Sequence, residues 1–182
     1  MKVWKVHNRA AMVYAGILLL ILSAAGCGYR FSPAGEKLGQ EIKRVYVDVF
    51  TNNTPEANIE AGFRNAFIDQ FIQGRRFKIV SSEGEADAVL KGDIRNLVQS
   101  PLAYRGAGNL TVEKRITVTL ALTLRAKGAP DTLWKEDNFT QWGDFTADFR
   151  DLNAAQAGQR AAISGLAKDA AERAYRMMIS DF

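Results

Sequence analysis

A period of two in apolar residues marks the strands of this chain, and a period near four marks its helices. From Lys43 to Phe50, Val45, Val47 and Val49 face one way and Tyr46, Asp48 and Phe50 the other, which predicts a strand. A turn over Thr51 to Glu56 follows, in which Asn53 or Thr54 is placed to cap a helix and Pro55 to occupy its first turn. Ile59, Phe63, Phe67 and Phe71 then recur every four residues with Ala66 and Ile72 beside them. This helix is expected to reach about Gln73 and to end at Gly74. An aromatic row at that spacing is the mark of a core face rather than a cofactor box.

Phe77 to Val80 opens a strand region, and Ser81 to Glu85 is a polar connection. Ala86 to Ile94 leads into a strand that extends toward Val98, and the pattern leaves open whether these are two strands or one interrupted strand. Ser100 to Leu110, with Pro101, Gly106 and Gly108, predicts a hairpin loop with Tyr104 and Arg105 at an exposed tip. The longest strand signal is Val112 to Lys127, where Ile116, Val118, Leu120, Leu122 and Leu124 alternate with Thr117, Thr119, Ala121, Thr123 and Arg125. A fatty face of that length needs cover. Gly128 to Asp131 turns the chain into a last strand, Leu133 to Gln141, and Trp142 to Arg150 reads as irregular and aromatic-rich. Leu152 to Ile179 is a long alanine-rich helix with a stripe of Leu152, Ala155, Ile163, Leu166, Ala170, Ala174 and Met178, interrupted by Gln159 and weakened by Gly158 and Gly165. The order of elements predicts a two-layer α+β domain: a mixed sheet of about four strands with two helices packed on one face.

Ahead of this domain, Met1 to Cys27 has a positive head (Lys2, Lys5, Arg9), an apolar run from Met12 to Leu22, and a small-residue tail ending on the only cysteine. That is the layout of a secretory leader. Small residues directly before a single cysteine resemble the lipobox of bacterial lipoproteins, in which the cysteine is lipidated and becomes the mature first residue. Ala24 stands where the lipobox usually has Leu. An uncleaved anchor or an ordinary signal are the alternatives; the charge-free run is short of the roughly 20 residues that span a bilayer core. The expected organisation is a lipoprotein signal peptide over 1–26, a lipidated cysteine and tether over 27–40, and a single domain over 41–182.

Removal of the leader leaves 21 basic against 20 acidic residues, so most of the positive excess belongs to the targeting segment. A nucleic-acid protein would keep a basic surface after processing, and none is expected as a partner. Cys27 is the only thiol and His7, in the leader, the only histidine. Disulfides, Cys-based or imidazole metal sites, and Ser-His or Cys-His catalysis are thereby excluded from the mature chain. Gly106-Ala107-Gly108 lacks the third glycine and the Lys-Ser/Thr of a phosphate loop. Asp87 and Asp93 are about 20 Å apart on an extended strand, beyond the roughly 5 to 9.5 Å of a glycosidase pair, and read as solvated strand-end charges. No catalytic, metal or cofactor site is expected.

Three stretches carry a family likeness: Cys27-Gly28-Tyr29-Arg30-Phe31, the strand Val45 to Phe50 leading into a capped helix, and Ala86-Asp87-Ala88-Val89-Leu90-Lys91-Gly92-Asp93-Ile94. Together they resemble the LptE family of outer-membrane lipoproteins of lipopolysaccharide assembly. The resemblance implies a non-enzymatic partner of the outer-membrane β-barrel LptD, seated in its lumen from the periplasmic side as a plug. It further implies that the chain assists barrel assembly, binds lipopolysaccharide and helps deliver it to the outer leaflet, held at the membrane by the lipid on Cys27. Gly28 after the anchor, rather than Asp, is similar to lipoproteins sent to the outer membrane. The family's lipopolysaccharide-contacting basic residues lie before the long strand and before the last helix. The matching positions are Arg105, beside Tyr104, and Arg150. An arginine that forks phosphate oxygens next to an aromatic ring suits a phosphorylated sugar headgroup, and a solvated loop arginine is the plainer alternative.

Two other classes are compatible with the same element order. One is an envelope lipoprotein that activates a cell-wall synthase or scaffolds a secretion complex, since fold does not fix function. The other, a carboxylate-dependent envelope hydrolase, is disfavoured by the lack of histidine and of a close acidic constellation.

Overall fold

A computed structural model of the chain describes residues 42–105, 111–128, 132–148 and 150–180, with the backbone alone at 104, 105 and 111. The leader, Cys27, the tether, the glycine-rich residues 106–110, the turn residues 129–131 and Phe149 lie outside the described residues.

The elements are β1 (Arg44–Val47), β2 (Thr51–Asn52), α1 (Ile59–Gly74), β3 (Lys78–Ile79), a 3₁₀ turn (Glu83–Glu85), β4 (Ala88–Arg105), β5 (Thr111–Ala126), β6 (Thr132–Asp148) and α2 (Leu152–Ser180). The strands form one sheet in the order β3-β1-β4-β5-β6, with β2 also alongside β4. β1 is parallel to β3 and β4, β2 is parallel to β4, and β4, β5 and β6 form an antiparallel meander. The expected two-layer α+β architecture with a mixed sheet is therefore present. It has six strands rather than about four, because Phe77 to Val80 contributes its own short strand and Thr51–Asn52, expected in a turn, is a further short strand split from β1.

That split has a local cause. Val45 pairs with Ala88 and Val47 with Leu90, but Thr51 pairs with Asp93, so one extra residue is accommodated between β1 and β2. Asp48 Oδ1 accepts the Val49 amide at 2.8 Å, and Arg64 of α1 donates to the Val47 carbonyl at 3.0 Å. The extra residue reverses the alternation. Phe50, expected on the face opposite Val45 and Val47, is buried as they are, and Val49, expected on their face, is 64% exposed. Phe50 packs against Gly92, where a Cβ would fall 2.4 Å from its ring, and meets Phe67 in a tilted pair at 5.1 Å between centroids. The glycine in β4 makes room for the displaced aromatic ring.

α1 starts later than the cap signal predicts. Asn52 accepts the Thr54 amide (3.0 Å) and hydroxyl (2.8 Å) and donates to the Glu56 carbonyl (2.7 Å), which fixes the segment as a turn. The residue preceding the helix is Asn58, in left-handed conformation and without a side-chain cap. Ile59, Phe63, Ala66, Phe67 and Phe71 are buried as expected, whereas Ile72 is exposed. The left-handed residue that closes the helix is Arg75 rather than Gly74, and Gly74 serves packing instead, since a Cβ there would overlap the Tyr175 ring.

Every inward residue predicted for β5 is buried: Ile116, Val118, Leu120, Leu122 and Leu124. β4 continues past the expected loop start to Arg105, with register shifts between Ile94 and Asn96 and between Pro101 and Ala103 that absorb the proline. β6 likewise runs through the segment expected to be irregular, to Asp148. The two helices share one face of the sheet and run side by side, Ile59 and Phe63 near Ile163 and Ala167, Gly74 against Tyr175. At about 1.5 Å per residue, the 29-residue α2 is nearly twice as long as the 16-residue α1. Its first turns extend past the start of α1, which is why Leu152 of the predicted stripe is exposed while Ile163, Leu166, Ala170, Ala174 and Met178 are buried.

Candidate functional site

The far end of the meander gathers the residues that the sequence singled out. Arg105 pairs with Thr111, and Thr111 with Asp148, so the three lie in one row across β4, β5 and β6. Strands are about 4.8 Å apart, which puts Arg105 and Asp148 about 10 Å from each other along the backbone. Tyr104, paired with Val112, occupies the adjacent row. Tyr104 and Arg105 are thus the last paired residues of a strand, not the tip of an eleven-residue loop.

Arg150 follows two residues after Asp148 and folds back onto it. Its Nε donates to Asp148 Oδ1 at 2.9 Å, its Nη2 to Oδ2 at 2.6 Å, and its backbone amide to Oδ1 at 3.0 Å. The Arg150 guanidinium, with its amide, holds the Asp148 carboxyl down at about 2, and the same pairing raises the arginine. Asp151 Oδ1 then accepts the Ala154 amide at 3.0 Å and starts α2. Strand, arginine and helix start are fastened in one turn. Sequence reasoning placed Arg105 and Arg150 at separate loops; the register brings both to the same end of the sheet. Cys27 lies outside the described residues.

Two further clusters were not anticipated. On the helix-free face, Trp142 is 54% exposed and the Arg115 guanidinium stacks 3.9 Å above its ring. Arg115 is held by both Asp144 oxygens at 2.8 and 2.9 Å, which lowers the Asp144 carboxyl and raises the arginine. Val98, also exposed, occupies the same cross-strand row through Thr117. The signal was present in the alternation Trp142-Gly143-Asp144, had β6 been extended through it. At the opposite end, Asp87 is not a solvated strand-end charge. Its Oδ1 accepts from the Arg44 guanidinium (2.7 and 3.1 Å) and its Oδ2 from the amides of Lys43 (3.0 Å) and Arg44 (2.8 Å). These bonds, the Arg44 guanidinium foremost, hold Asp87 at about 2.

Among the described residues no cluster of three or more His, Cys, Asp or Glu side chains is placed to hold a metal ion, and no helix is long and apolar enough to cross a membrane.

Comparison with solved structures finds similar bacterial proteins. A minor lipoprotein from Acinetobacter baumannii is similar over 77% of this chain and 92% of its own, at 8% identity and a TM-score of 0.50. The PelC dodecamer from Paraburkholderia phytofirmans matches 72% of this chain and 88% of its own at 15% identity (TM-score 0.43), and lipoprotein GNA1162 from Neisseria meningitidis 65% and 98% at 13% identity (TM-score 0.41). The Acinetobacter likeness supports the fold alone, and nothing rests on the other two. No curated protein matches the chain. The family model described as LptE, lipopolysaccharide-assembly, matches residues 42–178, which is nearly the whole folded domain. The chain belongs to the LptE family of lipopolysaccharide-assembly lipoproteins.

Proposed function

We propose that the chain is an outer-membrane lipoprotein that works without catalysis as the partner and plug of the LptD β-barrel, binding lipopolysaccharide during its delivery to the outer leaflet. In this reading residues 1–26 are removed, Cys27 carries the lipid on the periplasmic side, residues 27–40 are the tether, and 41–182 form the working domain. Family membership supports the class of function. The observation that carries the ligand assignment is the register that gathers Tyr104, Arg105 and Arg150 at one end of the sheet. A phosphorylated headgroup there would draw on Arg105 directly and compete with Asp148 for Arg150, so binding depends on exchanging one anion for another.

The test is the double substitution Arg105→Glu and Arg150→Glu in the purified protein. Lipopolysaccharide affinity is expected to fall at least about tenfold, the scale of one or two lost charge-assisted contacts, with the circular dichroism spectrum unchanged. Unchanged affinity would remove this end of the sheet as the binding site.

A further inference from the structure

Where α2 extends beyond the start of α1, the two helices leave a groove of about 390 Å³ lined by Ile59, Gly62, Phe63, Ile163 and Ala167. It opens into a second, polar cavity of about 310 Å³ formed by Glu56, Gln156, Gln159 and Arg160. Glu56 and Arg160 border both. The pair is not spent on itself: Glu56 Oε2 accepts from Gln159 at 3.1 Å, while Arg160 is exposed. Nothing approaches within 4 Å of the space a Gly62 side chain would occupy, so the apolar compartment is open there.

From this arrangement we infer that the groove is a binding site for a single-chain-width amphiphile with a zwitterionic phosphoethanolamine head, its acyl chain between Ile59, Phe63, Ile163 and Ala167, its phosphate on Arg160 and its ammonium on Glu56. The size of the apolar part falls within the roughly 300–1,000 Å³ of small-ligand pockets. At about the volume of a water per methylene, roughly 30 Å³, it holds one acyl chain and not a bundle. The charges select the head. A cation and an anion on one rim match a head that carries both, whereas a purely anionic head would meet Arg160 but be repelled by Glu56. This site is separate from the end of the sheet that carries Arg105 and Arg150, and neither assignment depends on the other.

The experiment uses the full chain in micelles of an uncharged maltoside detergent containing a phosphatidylethanolamine with a photoreactive diazirine at the end of one acyl chain. Cross-linked residues are mapped by mass spectrometry. Labelling is expected to concentrate on residues 59–63 and 163–167, to fall at least fivefold in Gly62→Leu, whose Cβ meets no atom within 4 Å and whose longer side chain takes up groove space, and at least threefold in Arg160→Ala. The same diazirine on phosphatidylglycerol is expected to label more weakly, and Glu56→Gln to erase that preference. Labelling spread evenly along the chain, labelling unchanged in Gly62→Leu and Arg160→Ala, or equal labelling by the two headgroups in the unsubstituted protein would each overturn the assignment. Displacement of the probe by lipopolysaccharide at concentrations where added phosphatidylethanolamine has no effect would overturn it as well.

Discussion

Asp87 and Asp148 are exposed enough to be solvated, yet each is committed to an arginine and to backbone amides of a neighbouring segment. A carboxyl held near 2 in the folded protein, against 3.8 ordinarily, contributes stability that is complete above about pH 4 and is lost as the pH falls toward 2. Replacing Asp87 with Asn is therefore expected to lower the melting temperature by a few degrees at pH 7 and by much less at pH 2, where the folded-state carboxyl is about half protonated, as followed by thermal denaturation across that range. A difference independent of pH would mean that the carboxylate charge is not what fastens β1 to β4. The sequence did not disclose this role, because Arg44 lies 43 positions away and meets Asp87 only through the parallel pairing of Val45 with Ala88. Local periodicity carries no information on parallel register. Arg150 differs: its partner is two residues away, and an Asp-x-Arg turn is a short-range feature that can be read directly.

At the scale of elements, the parts with long and regular patterns were legible. β5 presents its predicted face, and the four-residue row of α1 is the core, so Phe67→Ala, which removes a fully buried ring, is expected to cost about 3–5 kcal/mol in chemical denaturation. What the pattern could not show were the irregularities: the extra residue between β1 and β2, the register shifts in β4, and the continuation of β6 past Trp142. Each depends on a partner strand. The contact of Phe50 with Gly92 gives a measurable consequence. Gly92→Ala is expected to destabilise by about 1–3 kcal/mol through overpacking against that ring. Adding Phe50→Leu should recover part of the loss, because the two substitutions act on one contact. Strict additivity in the double-mutant cycle would show that the ring does not constrain position 92.

For the whole molecule, the two-layer fold and the family were both within reach of the sequence, since the element order runs through nearly the entire domain and two of the three short patterns fall in its first half. The geometry of the candidate site was only half within reach. Tyr104, Arg105 and Arg150 could be named, but their meeting at one end of a three-stranded meander follows from strands of 16 to 18 residues whose length the loop and aromatic signals concealed. The outer-face stack of Arg115 on Trp142 was missed for the same reason. The proposed partnership with LptD is measured most directly by copurification. The full chain, solubilised from the cell envelope in mild detergent, is expected to bring down LptD in a one-to-one complex identified by mass spectrometry. Recovery of the lipidated, folded chain without LptD, or with a penicillin-binding protein in its place, would contradict the account.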